Sequence, residues 1–226
     1  MNIESVVFRS GDVILTRSDS CTDQIMHGII NCPYNHVACV YVEPRTQQVY
    51  LWEMNGSGPR LIALSNLISE CDGENAAIKN LTHVAWLPLH RRNENGEWFH
   101  RVRDREEYEK RVVKLESWIE YCLLTPIQFN LTCTLGILTR MCGLSRLKIK
   151  KHVDPIYEHP TTVTCSGMLL NSLYQLGVAD ERVVDTNVTN MMNIVCPADF
   201  YDRNSELRTE FMKQCYYEDP VQLVIK

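Results

Sequence analysis

Thr164-Cys165-Ser166-Gly167-Met168-Leu169-Leu170 places one cysteine where an apolar-periodic helix begins, late in a chain whose first third reads as strands. Beyond Cys165, the residues Met168, Leu169, Leu173 and Leu176 recur on one helical face, and Gly177 supplies a C-terminal stop. Thr164 or Thr162 can cap the N-terminus. A helix start presents free backbone N–H groups and partial positive charge, which favours thiolate over thiol. Cys165 is therefore a candidate nucleophile, provided the chain supplies a base.

Upstream, short strands dominate. Gly11-Asp12 precedes the apolar run Val13-Ile14-Leu15, and residues 20–30 have the spacing of a short helix. His36-Val37-Ala38-Cys39-Val40-Tyr41-Val42 and Gln48-Val49-Tyr50-Leu51-Trp52-Glu53-Met54 form a hairpin across Glu43-Pro44-Arg45-Thr46. With a loop of 43–46, Val42 pairs with Gln47 and His36 lies directly opposite Glu53. A loop two residues longer makes them diagonal neighbours on the same face. Either register lets the carboxylate hold one imidazole nitrogen while the other faces outward, as a base and its orienter require.

Leu61 to Ile68 is either a short helix or a strand and turn, and Thr82 to Leu89 reads as another strand. Residues 90–106, rich in charge of both signs around Asn95-Gly96, form a solvated loop or hairpin. Tyr108, Val112, Leu115, Ile119 and Leu123 keep helical spacing to about Thr125. The apolar stretch 121–144 contains Pro126, Gln128, Asn130 and Arg140, poor company for a membrane span, and suits a buried helix or the wall of an apolar groove. Arg146, Lys148, Lys150, Lys151 and His152 make a small basic run, either a solvated face or an anion contact.

Composition narrows the class. The 226 residues are 45% apolar, enough for a core, and the net charge of −5 gives no pull toward nucleic acid. The ten cysteines show no Cys-x-x-Cys pairing, and Cys32-x3-His36 lacks a second half for a zinc site. They read as reduced, buried residues of a cytoplasmic protein, with Cys32, Cys39 and Cys196 in the core. The start of the chain lacks the basic and apolar regions of a signal peptide, so the sequons at Asn55, Asn80, Asn130 and Asn187 are expected to be unused.

The order histidine, carboxylate, cysteine reverses the usual papain-like order. With Ser10-Gly11-Asp12-Val13-Ile14-Leu15, Asn35-His36-Val37-Ala38-Cys39-Val40-Tyr41, Leu51-Trp52-Glu53-Met54, the Cys165 segment and Val195-Cys196-Pro197-Ala198-Asp199-Phe200, the chain resembles the circularly permuted NlpC/P60 papain-like superfamily. That branch includes bacterial YiiX/YaeF-type proteins, poxvirus and large-DNA-virus proteins and, more distantly, lecithin:retinol acyltransferase-like enzymes. The resemblance implies one α+β domain over 1–226, its antiparallel sheet packed against helices, with a variable insertion at about 90–150. It implies Cys165 as nucleophile, His36 as base and Glu53 as the third member of a metal-independent, cofactor-free hydrolase or acyltransferase. The substrate would be a peptide or lipid acyl group, with peripheral membrane contact as one way to reach a lipid, and the setting host cytoplasm or virion. Tyr34 and Ser166 are candidates for lining the substrate cleft. The N–H of Cys165 is the expected oxyanion donor.

Each residue has a plainer reading. A cysteine at a helix start is usually a packed small residue, a strand-opening histidine is usually structural, and Glu53 can be a strand-end charge. Gly11-Asp12 reads as a turn and strand entry rather than as catalytic. His152 and His159 stand closer to Cys165 in sequence and are alternative bases. The alternative reading of the whole chain is a non-catalytic peptide- or lipid-binding module, or a virion-associated factor, of the same fold.

Overall fold

The computed structural model describes residues 1–18, 32–66, 81–89, 91–92, 98–99, 105–129, 162–178, 197–202 and 220–224. The expected helix over 20–30, the basic run 146–151, most of the apolar stretch 121–144, His152, His159 and Cys196 lie wholly or largely outside these residues.

Six strands form one antiparallel sheet: β1 (Val13–Ser18), β2 (His36–Val42), β3 (Val49–Asn55), β4 (Gly58–Ala63), β5 (Leu81–Leu87) and β10 (Val221–Leu223). Their spatial order is β10-β5-β1-β2-β3-β4. Two-residue strands β6 (Arg91–Arg92) and β7 (Trp98–Phe99) pair as a small hairpin, while β8 (Gln128–Phe129) and β9 (Thr162–Val163) pair in parallel. Helices α1 (Arg105–Leu124), α2 (Cys165–Gln175) and α3 (Pro197–Tyr201) complete the described elements. The ambiguous stretch from Leu61 begins inside strand β4 and passes into a helical turn at 64–66. Pro59 is accommodated because β4 is a sheet edge, where a missing N–H breaks no ladder between two strands.

Alternation along the strands divides the core in two. Val37, Cys39, Tyr41, Trp52 and Met54 join the cluster that contains the buried faces of α1 and α2. Ala38, Val40 and Leu51 join Ile14, Val84 and Trp86 in a second cluster with Ile3, Phe8, Leu64 and Leu223. Burial on both faces is why β2 is apolar at nearly every position instead of every second one.

Helix α1 lies inside the stretch read as an insertion, yet its Val112, Leu115, Trp118, Ile119 and Cys122 belong to the main cluster. Trp118 meets Trp52 edge-on at 5.8 Å. Among the described residues no helix is long and apolar enough to cross a membrane.

The turn before β1 is pinned by a buried carboxylate. Gly11 adopts a φ of 97°, open to glycine at little steric cost, and its N–H donates to the Val40 carbonyl at 2.9 Å. The Val40 N–H returns a bond to the Asp12 carbonyl at 2.8 Å. The Asp12 side chain accepts from the Arg9 N–H at 3.0 Å, the Trp86 indole N–H at 2.9 Å and the Leu89 N–H at 2.8 Å. This agrees with reading Gly11-Asp12 as turn chemistry: the carboxylate ties the start of β1 to the far end of β5.

Candidate active site

The site begins at a register. β2 and β3 pair as Val42↔Val49, Tyr41↔Tyr50, Val40↔Leu51 and Cys39↔Trp52. The connecting loop is therefore 43–48, the longer alternative, and in this register Glu53 falls opposite Ala38 rather than His36, one step past the last pair. Of the two registers the sequence allows, the structure takes the diagonal one. Its physical source is the turn, where Gln47 takes a φ of 59° and the Glu43 N–H donates to the Gln48 carbonyl at 2.9 Å. The diagonal spacing is still short enough for contact. His36 Nε2 lies 2.7 Å from Glu53 Oε2.

Glu53 uses its other oxygen as well. The strands β3 and β4 pair Glu53 directly with Arg60, whose Nε and Nη2 both donate to Glu53 Oε1. The Glu53 side chain is 6% exposed, His36 26% and Arg60 42%. A nearly buried carboxylate is thus held between two more accessible cations. Burial alone raises its pKa, but His36 and Arg60 outweigh burial and bring it from 4.5 to about 2. Sequence reading missed Arg60. The signal that finds it is the two-residue turn Gly56-Ser57, which fixes Asn55 opposite Gly58 and hence Glu53 opposite Arg60.

The sulfur arrives on α2. Thr164 is the N-cap, its hydroxyl accepting from the Gly167 N–H at 3.1 Å, as one of the two candidate caps. Gly177, with a φ of 67°, closes the helix by donating to the Tyr174 carbonyl at 2.8 Å. The helix is buried from Ser166 through Leu173, more completely than a single apolar face requires. Asn171 and Ser172 manage this by bonding back to the Gly167 and Met168 carbonyls at 3.2 and 2.8 Å.

Cys165 remains partly exposed at the helix start, with His36 as a hydrogen-bond partner of its sulfur. Because Nε2 is engaged by Glu53, the remaining ring nitrogen, Nδ1, is the one left for the sulfur. The Val37 backbone N–H also donates to the sulfur. That donor is available because the β2–β3 ladder ends at Cys39↔Trp52, although β2 itself begins at His36. Ser166 Oγ stands 3.9 Å from Sγ.

These contacts set the charges. Burial opposes the thiolate, but His36, Ser166 and Val37 together bring the Cys165 pKa below its ordinary value. Burial likewise opposes the imidazolium, and Glu53 with Cys165 lifts His36 well above 6.5. The arrangement favours a thiolate–imidazolium pair backed by an ionised carboxylate.

The structure thus brings Cys165, His36 and Glu53 together in a chain of contacts. Tyr34 is different: it is fully buried, its hydroxyl accepts from Gln222 Nε2 and its ring packs edge-on against Tyr201 at 5.2 Å. Its place is in the core, which corrects the expectation that it lines a cleft. Ser166 is also buried, its hydroxyl 3.9 Å from the sulfur, rather than lining an open wall. Among the described residues, no group of three or more His, Cys, Asp or Glu is arranged to hold a metal ion. Cys32, Cys39 and Cys122 are buried, as expected for the first two.

The Glu53 contacts carry a stability prediction. The lowered Glu53 pKa contributes stability that is complete above about 4.5 and is lost as pH falls through about 2. The raised His36 pKa contributes stability that is complete below 6.5 and lost as pH rises through its higher folded value. Glu53→Ala is therefore expected to cost about 2–3 kcal/mol, the scale of a lost charged hydrogen bond, with the largest effect between about pH 4.5 and 6.5. Denaturant melts across pH measure this. An equal loss at pH 2 and pH 6 would contradict it.

No family model matches the sequence, and no curated protein matches it. Among solved structures, the chain is similar to the crystal structure of the metalloprotein YiiX from Escherichia coli O157:H7, DUF1105. The TM-score is 0.44 at 12% sequence identity, covering 96% of this chain and 97% of that one.

Proposed function

We propose that the chain is a circularly permuted papain-like domain acting as a thiol hydrolase or acyltransferase. The observation that carries this reading is the contact order sulfur, imidazole, carboxylate, with the sulfur at the start of α2. Each neighbour stabilises the charged form the chemistry needs.

In this reading the Cys165 thiolate attacks the carbonyl carbon of an amide, thioester or ester. The carbonyl π electrons move onto oxygen, where the first-turn N–H groups of α2, including that of Cys165, receive the charge. Collapse of the tetrahedral intermediate expels the amine, thiol or alcohol, which takes its proton from the His36 imidazolium. Neutral His36 then removes a proton from water or an acceptor nucleophile. That nucleophile attacks the thioester, and Cys165 leaves as thiolate with His36 again protonated. Glu53 holds the ring in one orientation throughout and stays ionised.

The substrate class follows the chemistry: a peptide or lipid acyl group, with an electrophilic carbonyl as the common element. The experiment is labelling with electrophiles of both kinds, a peptidyl acyloxymethyl ketone, which alkylates the sulfur as its carboxylate leaves, and a long-chain acyl thioester, which acylates it as its thiol leaves, followed by intact-mass analysis. One stoichiometric adduct on Cys165, absent in Cys165→Ala, is the expected result. An adduct distributed over several cysteines, or none under conditions where the protein is folded, would overturn catalysis and leave the domain as a binding module.

A further inference from the structure

Arg60 stands outside the three residues assigned to the chemistry, yet it occupies half of the carboxylate that supports the base. Its Nε and Nη2 both donate to Glu53 Oε1, while His36 holds Oε2. The pairing is built into the sheet, since Arg60 is the register partner of Glu53 across β3 and β4.

We propose that Arg60 is a positioning residue that sets the base strength of His36 by sharing the charge of Glu53. The inference rests on the reading of His36 as base. A base in acyl transfer must both accept a proton and return it. A nearly buried carboxylate with imidazolium as its only partner would hold that proton too firmly. Arg60 draws part of the carboxylate charge away through the opposite oxygen, and its own positive charge opposes the imidazolium. It also fixes the carboxylate plane, so that Oε2 faces the ring.

Among the described residues, the charged or titratable groups meeting His36 are few. Glu53 faces it from β3 and Cys165 from α2, with Arg60 on β4 behind Glu53. A unit charge roughly 6 Å away, at an effective dielectric near 20, corresponds to about two pH units, and the solvent exposure of Arg60 reduces this to about one.

The test is the titration midpoint of His36, followed by imidazole nitrogen NMR in the full chain at low salt. Arg60→Ala is expected to raise the midpoint by about one pH unit. Arg60→Gln, which keeps donors toward Glu53 and loses only the charge, is expected to raise it as well. Arg60→Lys is expected to keep the wild-type midpoint, because it retains the charge. A residue that merely braces Glu53 gives the opposite sign, since a loosened carboxylate supports the imidazolium less. A lowered or unchanged midpoint in the folded Ala and Gln variants overturns the proposal. Failure of the underlying reading shows separately, as alkylation of Cys165 that does not respond to His36→Ala.

Discussion

His36→Ala should lower the rate of Cys165 alkylation by iodoacetamide at pH 6 by at least tenfold, while the difference from wild type narrows toward pH 9. An ordinary thiol ionises near pH 8.5, so only about 0.3% is thiolate at pH 6. In the folded protein the imidazole, the Ser166 hydroxyl and the Val37 N–H all favour the anion. Removing the imidazole takes away the partner that does most to offset burial. The gain is smaller than the change in ionisation alone, because a stabilised thiolate is also a weaker nucleophile. Background from the other described cysteines is low. Cys39 and Cys122 are buried, with thiols pushed up to about 12. Mass spectrometry of the labelled peptide reads the rate at Cys165 alone. A pH profile for His36→Ala superimposable on wild type would remove the thiolate–imidazolium pair from the account.

The second large effect is structural. Asp12→Ala is expected to destabilise the fold by about 3–9 kcal/mol, because it removes the acceptor of the Arg9, Trp86 and Leu89 N–H groups at about 1–3 kcal/mol each. That is a large share of a typical folding free energy of about 5–15 kcal/mol. Asp12→Asn should fall between Ala and wild type, since a carboxamide retains one acceptor oxygen and turns a donor toward N–H groups. Burial pushes the Asp12 pKa from 3.8 up to about 6. Its folded value lies above the unfolded one, so the ionised carboxylate costs stability that is recovered as pH falls through about 6 toward 3.8. The pH trend is opposite in sign to that of Glu53. Urea melts of the three proteins at pH 5 and pH 8 test both claims. A loss below about 1 kcal/mol for Asp12→Ala would show that the three donors find other partners.

The legible parts of the sequence were those governed by short-range rules. The bounds of β2 follow from Pro33, Pro44 and the β-branched run between them, and α2 follows from Thr164, the apolar spacing and Gly177. The meeting of His36 and Glu53 was legible because two strands joined by a short loop allow few registers, and both registers considered bring the pair together. Which register holds was decided by Gln47 in the left-handed region, something its residue type does not advertise. The nearness of Tyr34 to His36 in sequence suggests a cleft position, whereas β10, from the far end of the chain, supplies the partner for its hydroxyl. Arg60 escapes sequence reading for a different reason: it falls between Pro59, where the preceding strand reads as ended, and the stretch Leu61 to Ile68, ambiguous between helix and strand, so no register spans that turn. The Val37 contact depends on where a ladder stops, which propensity does not encode.

The early end of the β2–β3 ladder has a consequence for how the protein acquires its chemistry. His36, Glu53 and Arg60 lie on three consecutive strands and can come together by local closure. Cys165 lies far downstream and reaches the vacant Val37 N–H only when α2 docks. Until that contact forms, Cys165 lacks the His36 and Val37 partners that favour its thiolate. On the proposed reading, a chain that stops short of α2 docking carries no activated thiol.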